Sequence, residues 1–486
     1  MQSPFIILSL IVSYFLILLV ISGYTSIKES NEVFFNANRN APWYIVAFGM
    51  VGASLSGVTF ISVPGWVESS QMTYFQVVLG YMIGYFIVAF ILLPVYYNNN
   101  VTSIYEYLNI RFGPNTQKTG AFFFFVSRII GAAFRLFLVA LVLYQYVFKS
   151  WGIPFEISVI VSIFLIWIYT YKGGINTIVW TDTIQTFLMI LSVILSIIYI
   201  LSELDLNFFT FLKSDSYIEM STIWVTNDIM ARNYFLKSLI GGAFITICMT
   251  GLDQDMMQKN LTCKNLFSAQ KNMIVFSLVL VSVTFLFLFL GVLLNEYSIK
   301  MDIGIPIFEG KKNTDLLFPE IALKHNLGQV VGITFIIGLV AAAYSSADSA
   351  LTSLTTSFCV DFININKHPI SDQKSIRRKT HILMSLILIL VVILFKHILD
   401  KNVIDGLLTV ASYTYGPLLG IFALGIFTNY KVDDKKVFLV SLIALFIIFI
   451  IGNLNPENLW GYQIGYELLP LNGLITFIGL ILISRK

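Results

Sequence analysis

The sequence predicts an all-α membrane protein with about 13 transmembrane helices, and composition and hydropathy both support this. The chain has 486 residues, a mean hydropathy of +0.82 and only 12% charged residues. A hydrocarbon core about 30 Å thick needs about 20 consecutive apolar residues in a helix. Thirteen runs of this kind leave little chain for a soluble domain; they lie at residues 4–24, 43–65, 73–97, 119–148, 154–171, 176–201, 234–258, 272–296, 328–360, 378–397, 404–428, 434–452 and 468–484.

The positions of lysine and arginine predict the orientation of the chain. Cytoplasmic loops of membrane proteins carry an excess of these residues. With 13 spans the termini lie on opposite sides, and one set of loops then holds eighteen of these residues, including Lys259, against nine on the other set. We therefore predict a multi-pass protein of the cytoplasmic (inner) membrane, with the N-terminus outside and the C-terminus inside. The net charge of +3 indicates no nucleic-acid partner.

Motifs of catalysis are missing from the sequence. The chain has neither the H-E-x-x-H nor the G-x-S-x-G pattern of hydrolases. Its three cysteines, Cys248, Cys263 and Cys359, do not have the paired spacing of a metal or disulfide framework. We therefore expect no enzyme activity and no cofactor.

Two predicted spans contain clusters of small and polar residues. Residues 49–59 are rich in glycine and hydroxyl groups, and residues 241–255 combine glycines, threonines and aspartates. Secondary transporters place their binding sites where the first helices of two inverted repeats are broken. Close helix packing is the alternative use of such glycines. Because the two spans lie five spans apart, we predict a five-plus-five inverted-repeat core.

This repeat pattern leaves one extra helix before the core and two after it. A third interruption, at Gly416-Pro417, is expected in the eleventh span, either as a break or as a kink. The predicted segments are a first peripheral helix with a cytoplasmic loop (1–42), repeat one (43–201), an external loop (202–233), repeat two (234–428) and two C-terminal peripheral helices (429–486).

Two acidic residues within apolar spans are candidate ion-site residues. A charge at membrane depth is costly without a partner, so Asp182 and Asp348 are expected to be functional. Helical spacing places Ser345, Ser349 and Thr352 on one stripe with Asp348. Neutral oxygens with one carboxylate suit a small monovalent cation better than a divalent one. Sodium is therefore the predicted ion, although serines in membrane helices also bond the preceding turn.

Several motifs together resemble the sodium:solute symporter family, which includes bacterial sialic-acid, galactose and proline symporters. They are the Tyr-Thr-Tyr-Lys-Gly-Gly-Ile and Trp-Thr-Asp-Thr-Ile-Gln stretches at 169–175 and 180–185, and residues 102–108, 341–346 and 416–427. The resemblance implies a secondary active symporter that uses sodium to import a small organic solute by alternating access. A passive channel, a proton-coupled transporter and a symporter of a neutral sugar or polyol are the alternatives.

The resemblance also implies the ion-binding residues. A principal sodium site would use the carbonyls of Gly52, Leu55 and Ala342 and the hydroxyls of Ser345 and Ser346. In some relatives a second sodium is held at positions that here read Asp182, Ser345, Asp348 and Ser349. Asp348 departs from the serine expected there, which leaves open a stronger site, a proton-linked site or a different stoichiometry.

The solute site implied by the resemblance consists of Ser54, Ser56, Thr59 and Arg135. Arg135 takes the position of an arginine that grips a carboxylate in sialic-acid symporters. The alternatives are an ion pair with a carboxylate such as Asp253 or Asp255, or snorkelling to an interface. A glutamine expected in a sialic-acid site falls at Val78, which argues against that sugar acid. The expected partners are sodium, the solute and the lipid bilayer, and a monomer is expected to suffice for transport.

Overall fold

The chain folds almost entirely into helices, in a computed structural model that describes residues 4–25, 30–146, 148–308, 311–324, 327–396 and 403–485. Up to residue 220 the α-helices are α1 (Pro4–Thr25), α2 (Asn31–Asn36), α3 (Trp43–Ser70), α4 (Tyr74–Ile87), α5 (Leu93–Asn98), α6 (Glu106–Arg111), α7 (Pro114–Tyr146), α8 (Phe155–Thr170), α9 (Ile175–Glu203), α10 (Phe208–Phe211) and α11 (Asp215–Met220). The later ones are α12 (Phe235–Thr246), α13 (Gln254–Asn260), α14 (Leu266–Lys300), α15 (Leu317–Lys324), α16 (Gln329–Ser357), α17 (Ile370–Phe395), α18 (Val403–Thr414), α19 (Gly416–Phe427), α20 (Val437–Gly452) and α21 (Leu468–Leu482).

Shorter elements complete the described chain. Three π-helical turns, at Val88–Leu92, Ile247–Gly251 and Phe358–Phe362, directly follow α4, α12 and α16. The 3₁₀ turns are Ala37–Arg39, Phe148–Trp151, Thr314–Leu316, Ile365–Lys367 and Pro456–Leu459. Strands β1 (Ile307–Phe308) and β2 (Lys311–Lys312) pair antiparallel, as do β3 (Lys431–Val432) and β4 (Ser484–Arg485).

The described helices confirm the predicted all-α membrane fold. Eight helical segments are long and apolar enough to cross a membrane, and two bent helix pairs raise the number to ten. Three shorter apolar helices, α8, α20 and α21, fall on the remaining predicted spans. Because these three are shorter than 18 residues, the number 13 stays a prediction, and so does the division into repeats.

The predicted interruptions are present as helix breaks. Ser56 has φ 46° and ψ 173° inside α3, so the helix stops and restarts there. The segments Phe235–Gly251 and Gln254–Asn260 meet at 69°, and the segments on either side of Tyr415 meet at 45°. Residues at the end of a half-helix have carbonyls without intrahelical partners. These breaks therefore expose backbone oxygen inside the protein.

The helices around the breaks pack on a few central partners. Helix α3 packs on α14, α9 and α16, and α12 packs on α4. Helix α16 also contacts α7, α8 and α17. Because α9 contacts both α3 and α16, which also contact each other, residues on α9 can reach both helices.

Helices α4 and α12 approach each other through a glycine seam, formed by Gly80 and Gly84 on α4 and Gly242 on α12. A Cβ at Gly80 would overlap the carbonyl oxygen of Leu239, and one at Gly242 would overlap the carbonyl oxygen of Val77. Small residues let helix backbones approach closely in membranes. Gly242 therefore allows close helix packing, which is the alternative explanation for the glycines of this span. The helix break itself lies further along the chain, after Gly251.

We expect Gly80→Ala and Gly242→Ala each to destabilise the protein by about 1–3 kcal/mol, because an added methyl group must push two backbones apart. The measurement is the thermal midpoint of the purified protein in detergent. Gly23→Ala is the matched control, since Gly23 lies in α1 with no atom within 4 Å of an added Cβ. If all three variants had the same thermal midpoint, the close packing of α4 against α12 through these glycines would be contradicted.

Candidate functional site

Asp182 on α9 joins three parts of the core through its two carboxylate oxygens. Lys259 Nζ, from α13, donates to Oδ2 at 2.6 Å, and Ser345 Oγ, from α16, donates to Oδ1 at 2.6 Å. The side chains of Asp182 and Lys259 are each only 1% exposed. An ion pair removed from water in this way has a much stronger Coulomb attraction than one at a surface. The cation that balances Asp182 is therefore a lysine of the same chain.

The position of Lys259 corrects one assignment made from charge patterning. The loop analysis counts Lys259 as a cytoplasmic loop cation, but it lies in the last turn of α13, where every residue is buried. The 69° bend before α13 turns this short helix into the protein. One feature of the sequence indicates a buried role for Lys259. It directly follows the seventh apolar run, and two other spans each contain an acidic residue that needs a partner.

Asp348 has a different set of partners. Tyr169 donates its hydroxyl to Oδ2 at 2.7 Å, and Ser349 donates to Oδ1 at 3.2 Å. The charges of Asp182 and Lys259 also act on Asp348. The residues predicted for a second cation site therefore form two hydrogen-bonded pairs, Asp182 with Ser345 and Asp348 with Ser349. Sequence reasoning missed the other partner of each carboxylate, which is Lys259 for Asp182 and Tyr169 for Asp348.

The residues predicted for the principal sodium site lie where α16 meets the break in α3. Ser346 donates to the carbonyl of Ala53 at 3.3 Å, and Ala342 lies one turn earlier on the same helix. The carbonyls of residues 52–55 precede the break, where intrahelical partners are lost. Ser345 donates its proton to Asp182, which leaves its oxygen lone pairs able to accept. These residues bring several oxygen atoms to one helix junction.

The carbonyls at the break between α12 and α13 already accept hydrogen bonds from side chains. Tyr96 donates its hydroxyl to the carbonyl of Gly251 at 2.7 Å, and Tyr105 donates to that of Leu252 at 3.0 Å. In contrast, no side chain of the described residues donates to the carbonyls of Gly52 and Leu55. The break in α3 is thus the better candidate for binding a cation.

A cavity adjoins the break in α3. All four residues predicted to bind solute line it: Ser54, Ser56, Thr59 and Arg135. The cavity is also lined by Arg128, which precedes Arg135 by seven residues, and by Thr246 and Thr250 of the interrupted seventh span. Sequence reasoning missed the other polar lining residues, because nothing distinguishes them from packing residues within apolar spans; they are Tyr74, Tyr81, Tyr85 and Thr284.

The two arginines of the cavity differ in their partners. Arg128 forms an ion pair with Asp255 and lies 3.9 Å from Asp253, which in turn accepts a hydrogen bond from Tyr415. Arg135 makes no ion pair or hydrogen bond with any described residue, and its Nε is buried without a partner. The predicted alternative of a pair with Asp253 or Asp255 thus applies to Arg128.

Comparison with known proteins identifies the family of the chain. The model of the sodium:solute symporter family matches residues 34–443. The chain is 26% identical to a sodium/sialic acid symporter of Aliivibrio fischeri over 418 residues, which cover 83% of this chain and 79% of the relative. It is 24% identical to sodium-coupled monocarboxylate transporter 1 of Xenopus laevis, over 82% of this chain and 63% of the relative.

The fold is also that of a solved transporter. The structure of a Na⁺-coupled sialic acid symporter in a substrate-bound outward-open state superimposes with a TM-score of 0.82 and 19% identity, and the match covers 99% of both chains. The family model spans most of the sequence and includes all three helix breaks and the cavity. The chain therefore belongs to the sodium:solute symporter family.

Proposed function

We propose that the chain imports a small carboxylated solute across the cytoplasmic membrane, together with sodium, by alternating access. As a member of its family it is a multi-pass membrane protein that performs sodium-coupled symport of a small organic solute. The family consists of transporters and not enzymes. The proposal adds the solute class, the site residues and the orientation, with the N-terminus outside and a monomer as the transporting unit.

The unpaired Arg135 is the observation that supports a carboxylated solute. The charge of Asp253 acts on Arg135 only from beyond ion-pair distance, and burying a cation without a direct partner is costly, so a negative group on the solute would stabilise the loaded cavity. A guanidinium binds a carboxylate through two parallel hydrogen bonds, which also fixes the orientation of the solute. The two relatives named above carry sialic acid and monocarboxylates, and both kinds of solute contain a carboxylate.

The hydroxyl groups along the broken helix would bind the rest of the solute. Ser54, Ser56 and Thr59 all face the cavity that holds Arg135. The half-helix that begins after Ser56 points its N-terminal N–H groups at this region, and such ends favour anions. A solute with one carboxylate and a few hydroxyl or carbonyl groups fits these donors best. The apolar Val78, where sialic-acid symporters are expected to have glutamine, keeps sialic acid itself out of the proposal.

We place the principal sodium ion at the junction of α3 and α16, with the carbonyls of Gly52, Leu55 and Ala342 and the hydroxyls of Ser345 and Ser346 as ligands. Carbonyls at a helix C-terminus carry partial negative charge, which favours a cation. The same break supplies ligands to the ion and to the solute. Binding of one would therefore order the segment that binds the other, which is a physical basis for coupling.

The sodium site predicts the behaviour of serine variants. We expect Ser346→Ala to raise the half-saturating sodium concentration for uptake about tenfold, because losing about 1.4 kcal/mol of binding changes an affinity by that factor. The combined Ser345→Ala and Ser346→Ala variant should be affected more strongly. The measurement is solute uptake into proteoliposomes at graded external sodium.

Ser282→Ala is the control for this series, because Ser282 lies on the exposed side of α14 and bonds only its own helix. Unchanged sodium dependence in the double variant would show that the ion binds elsewhere. Downhill solute flux without accumulation would instead indicate a passive channel, and accumulation driven by a proton gradient alone would indicate proton coupling.

Arg135 predicts the solute class. We expect Arg135→Ala to abolish nearly all uptake of a carboxylated solute, because removing one member of a desolvated charge pair costs about 2–5 kcal/mol. Arg135→Lys should lower uptake of the carboxylate more than uptake of its neutral amide analogue, since lysine keeps the charge but loses the planar fork. The measurement is a panel of sugars, sugar acids and amino acids in proteoliposomes with a sodium gradient.

Arg128→Lys is the matched comparison, because Arg128 lines the same cavity but is paired with Asp255. It should lower uptake of the acid and of the amide by similar factors. If the transported solute is a neutral sugar or polyol and Arg135→Ala carries it at the normal rate, the carboxylate proposal is wrong.

A further inference from the structure

Lys259 lies where the family resemblance would put a second sodium ion. We propose that its ammonium group is a built-in cation that replaces this ion, so that the chain moves one sodium per solute. The inference rests on the proposed sodium coupling and deepens it, because it concerns the number of ions that are coupled.

The contacts around the two buried carboxylates are the first support. Lys259 and Ser345 each donate to one oxygen of Asp182 at 2.6 Å. Tyr169 and Ser349 each donate to one oxygen of Asp348, at 2.7 Å and 3.2 Å. A second sodium ion would therefore meet four carboxylate oxygens that already have donors. At Asp182 it would compete with the ammonium group for Oδ2 and with the Ser345 hydroxyl for Oδ1.

Charge is the second support. A lysine ammonium is a compact point charge, which makes it a chemical substitute for a monovalent ion. A sodium ion beside it would be repelled strongly in this water-poor region. Within the described residues Lys259 forms no ion pair other than that with Asp182, so a displaced ammonium would remain buried without a partner. The pair therefore favours keeping its internal cation.

The anchoring of α13 is the third support, because it holds Lys259 in place. Gln258 donates to the carbonyl of Phe35 at 2.7 Å and to Thr356 at 3.0 Å. Asn260 accepts a hydrogen bond from Asn272 at 2.7 Å. The residues on both sides of Lys259 are thus fixed to other elements. Its side chain reaches Asp182 from a rigid position and not from a mobile loop.

Asp348 lies beside this pair and has its own donors. It stands where the family is expected to have serine, and its two oxygens accept hydrogen bonds from the neutral groups of Tyr169 and Ser349. The counter-charge of the ammonium group is Asp182. A second sodium ion at Asp348 would therefore have to compete with these two donors.

The test is the ratio of sodium to solute that crosses the membrane. Labelled sodium and labelled solute are followed together in proteoliposomes that contain the full chain. We expect a ratio of one for the wild type and a rise toward two for Lys259→Met, which keeps the volume and frees the Asp182 carboxylate. Lys264→Met is the matched control, since Lys264 is exposed five residues further along, and its ratio should equal that of the wild type.

A second readout does not depend on transport. A ligand that binds only the folded state raises the thermal midpoint with its concentration. We expect the midpoint of Lys259→Met in detergent to rise more steeply with sodium than that of the wild type, because sodium then replaces the missing ammonium. Adding Asp182→Asn to Lys259→Met removes both charges, and the slope should return to that of the wild type.

A ratio of two in the wild type would overturn the inference, even if Lys259→Met cannot be purified. It would also be overturned if Lys259→Met left both the ratio and the sodium slope unchanged. If the wild type shows no sodium-driven uptake of any solute in the panel, the proposed function fails instead. The comparison of sodium slopes still decides the role of Lys259 in that case.

Discussion

The core of this protein depends on balancing the buried charge of Asp182. Its carboxylate lies on α9, which packs against both α3 and α16, where water is excluded and an unpaired charge would be prohibitive. Lys259 and Ser345 satisfy it from opposite sides, so one side chain connects a broken helix, a bridging helix and the hydroxyl-rich helix α16. The break before α13 has a structural purpose here, because a straight helix would carry Lys259 away from Asp182.

The residues of the family motif at 169–185 act together around this charge. Tyr169 binds Asp348, and Asp182 follows thirteen residues later on the next helix. Between them Gly174, with φ 51°, begins α9 against the ring of Phe34, where a Cβ would overlap that ring. A residue other than glycine would strain this turn and shift α9. The turn therefore sets the position from which Asp182 reaches both partners.

Much of the fold and part of the candidate site could be predicted from the sequence. Hydropathy locates the helices, and the small-residue clusters locate the breaks, because both are local properties of the chain. Ser54, Ser56 and Thr59 line one cavity with Arg135, as their predicted common role requires. The partner of Asp182 could not be predicted, because Lys259 reaches it only through a 69° bend, and its position in the sequence is that of an ordinary loop lysine. Tyr81 and Tyr85 were also missed, since an aromatic residue in an apolar span has the same pattern whether it faces lipid, core or cavity.

Two neighbouring faces of helix α4 have different contacts: one packs against α12 through the glycine seam, and the other lines the cavity. Gly80 and Gly84 meet the backbone of α12, whereas the adjoining residues Tyr81 and Tyr85 line the cavity proposed to bind the solute. A change of tyrosine alters what the cavity can hold without touching the contact that keeps the two helices together. During divergence of the family, solute preference could therefore drift through single substitutions on one face, while selection against any larger side chain acts on the other. Residues that set solute specificity and residues that hold the two helices together can therefore evolve at different rates on the same helix.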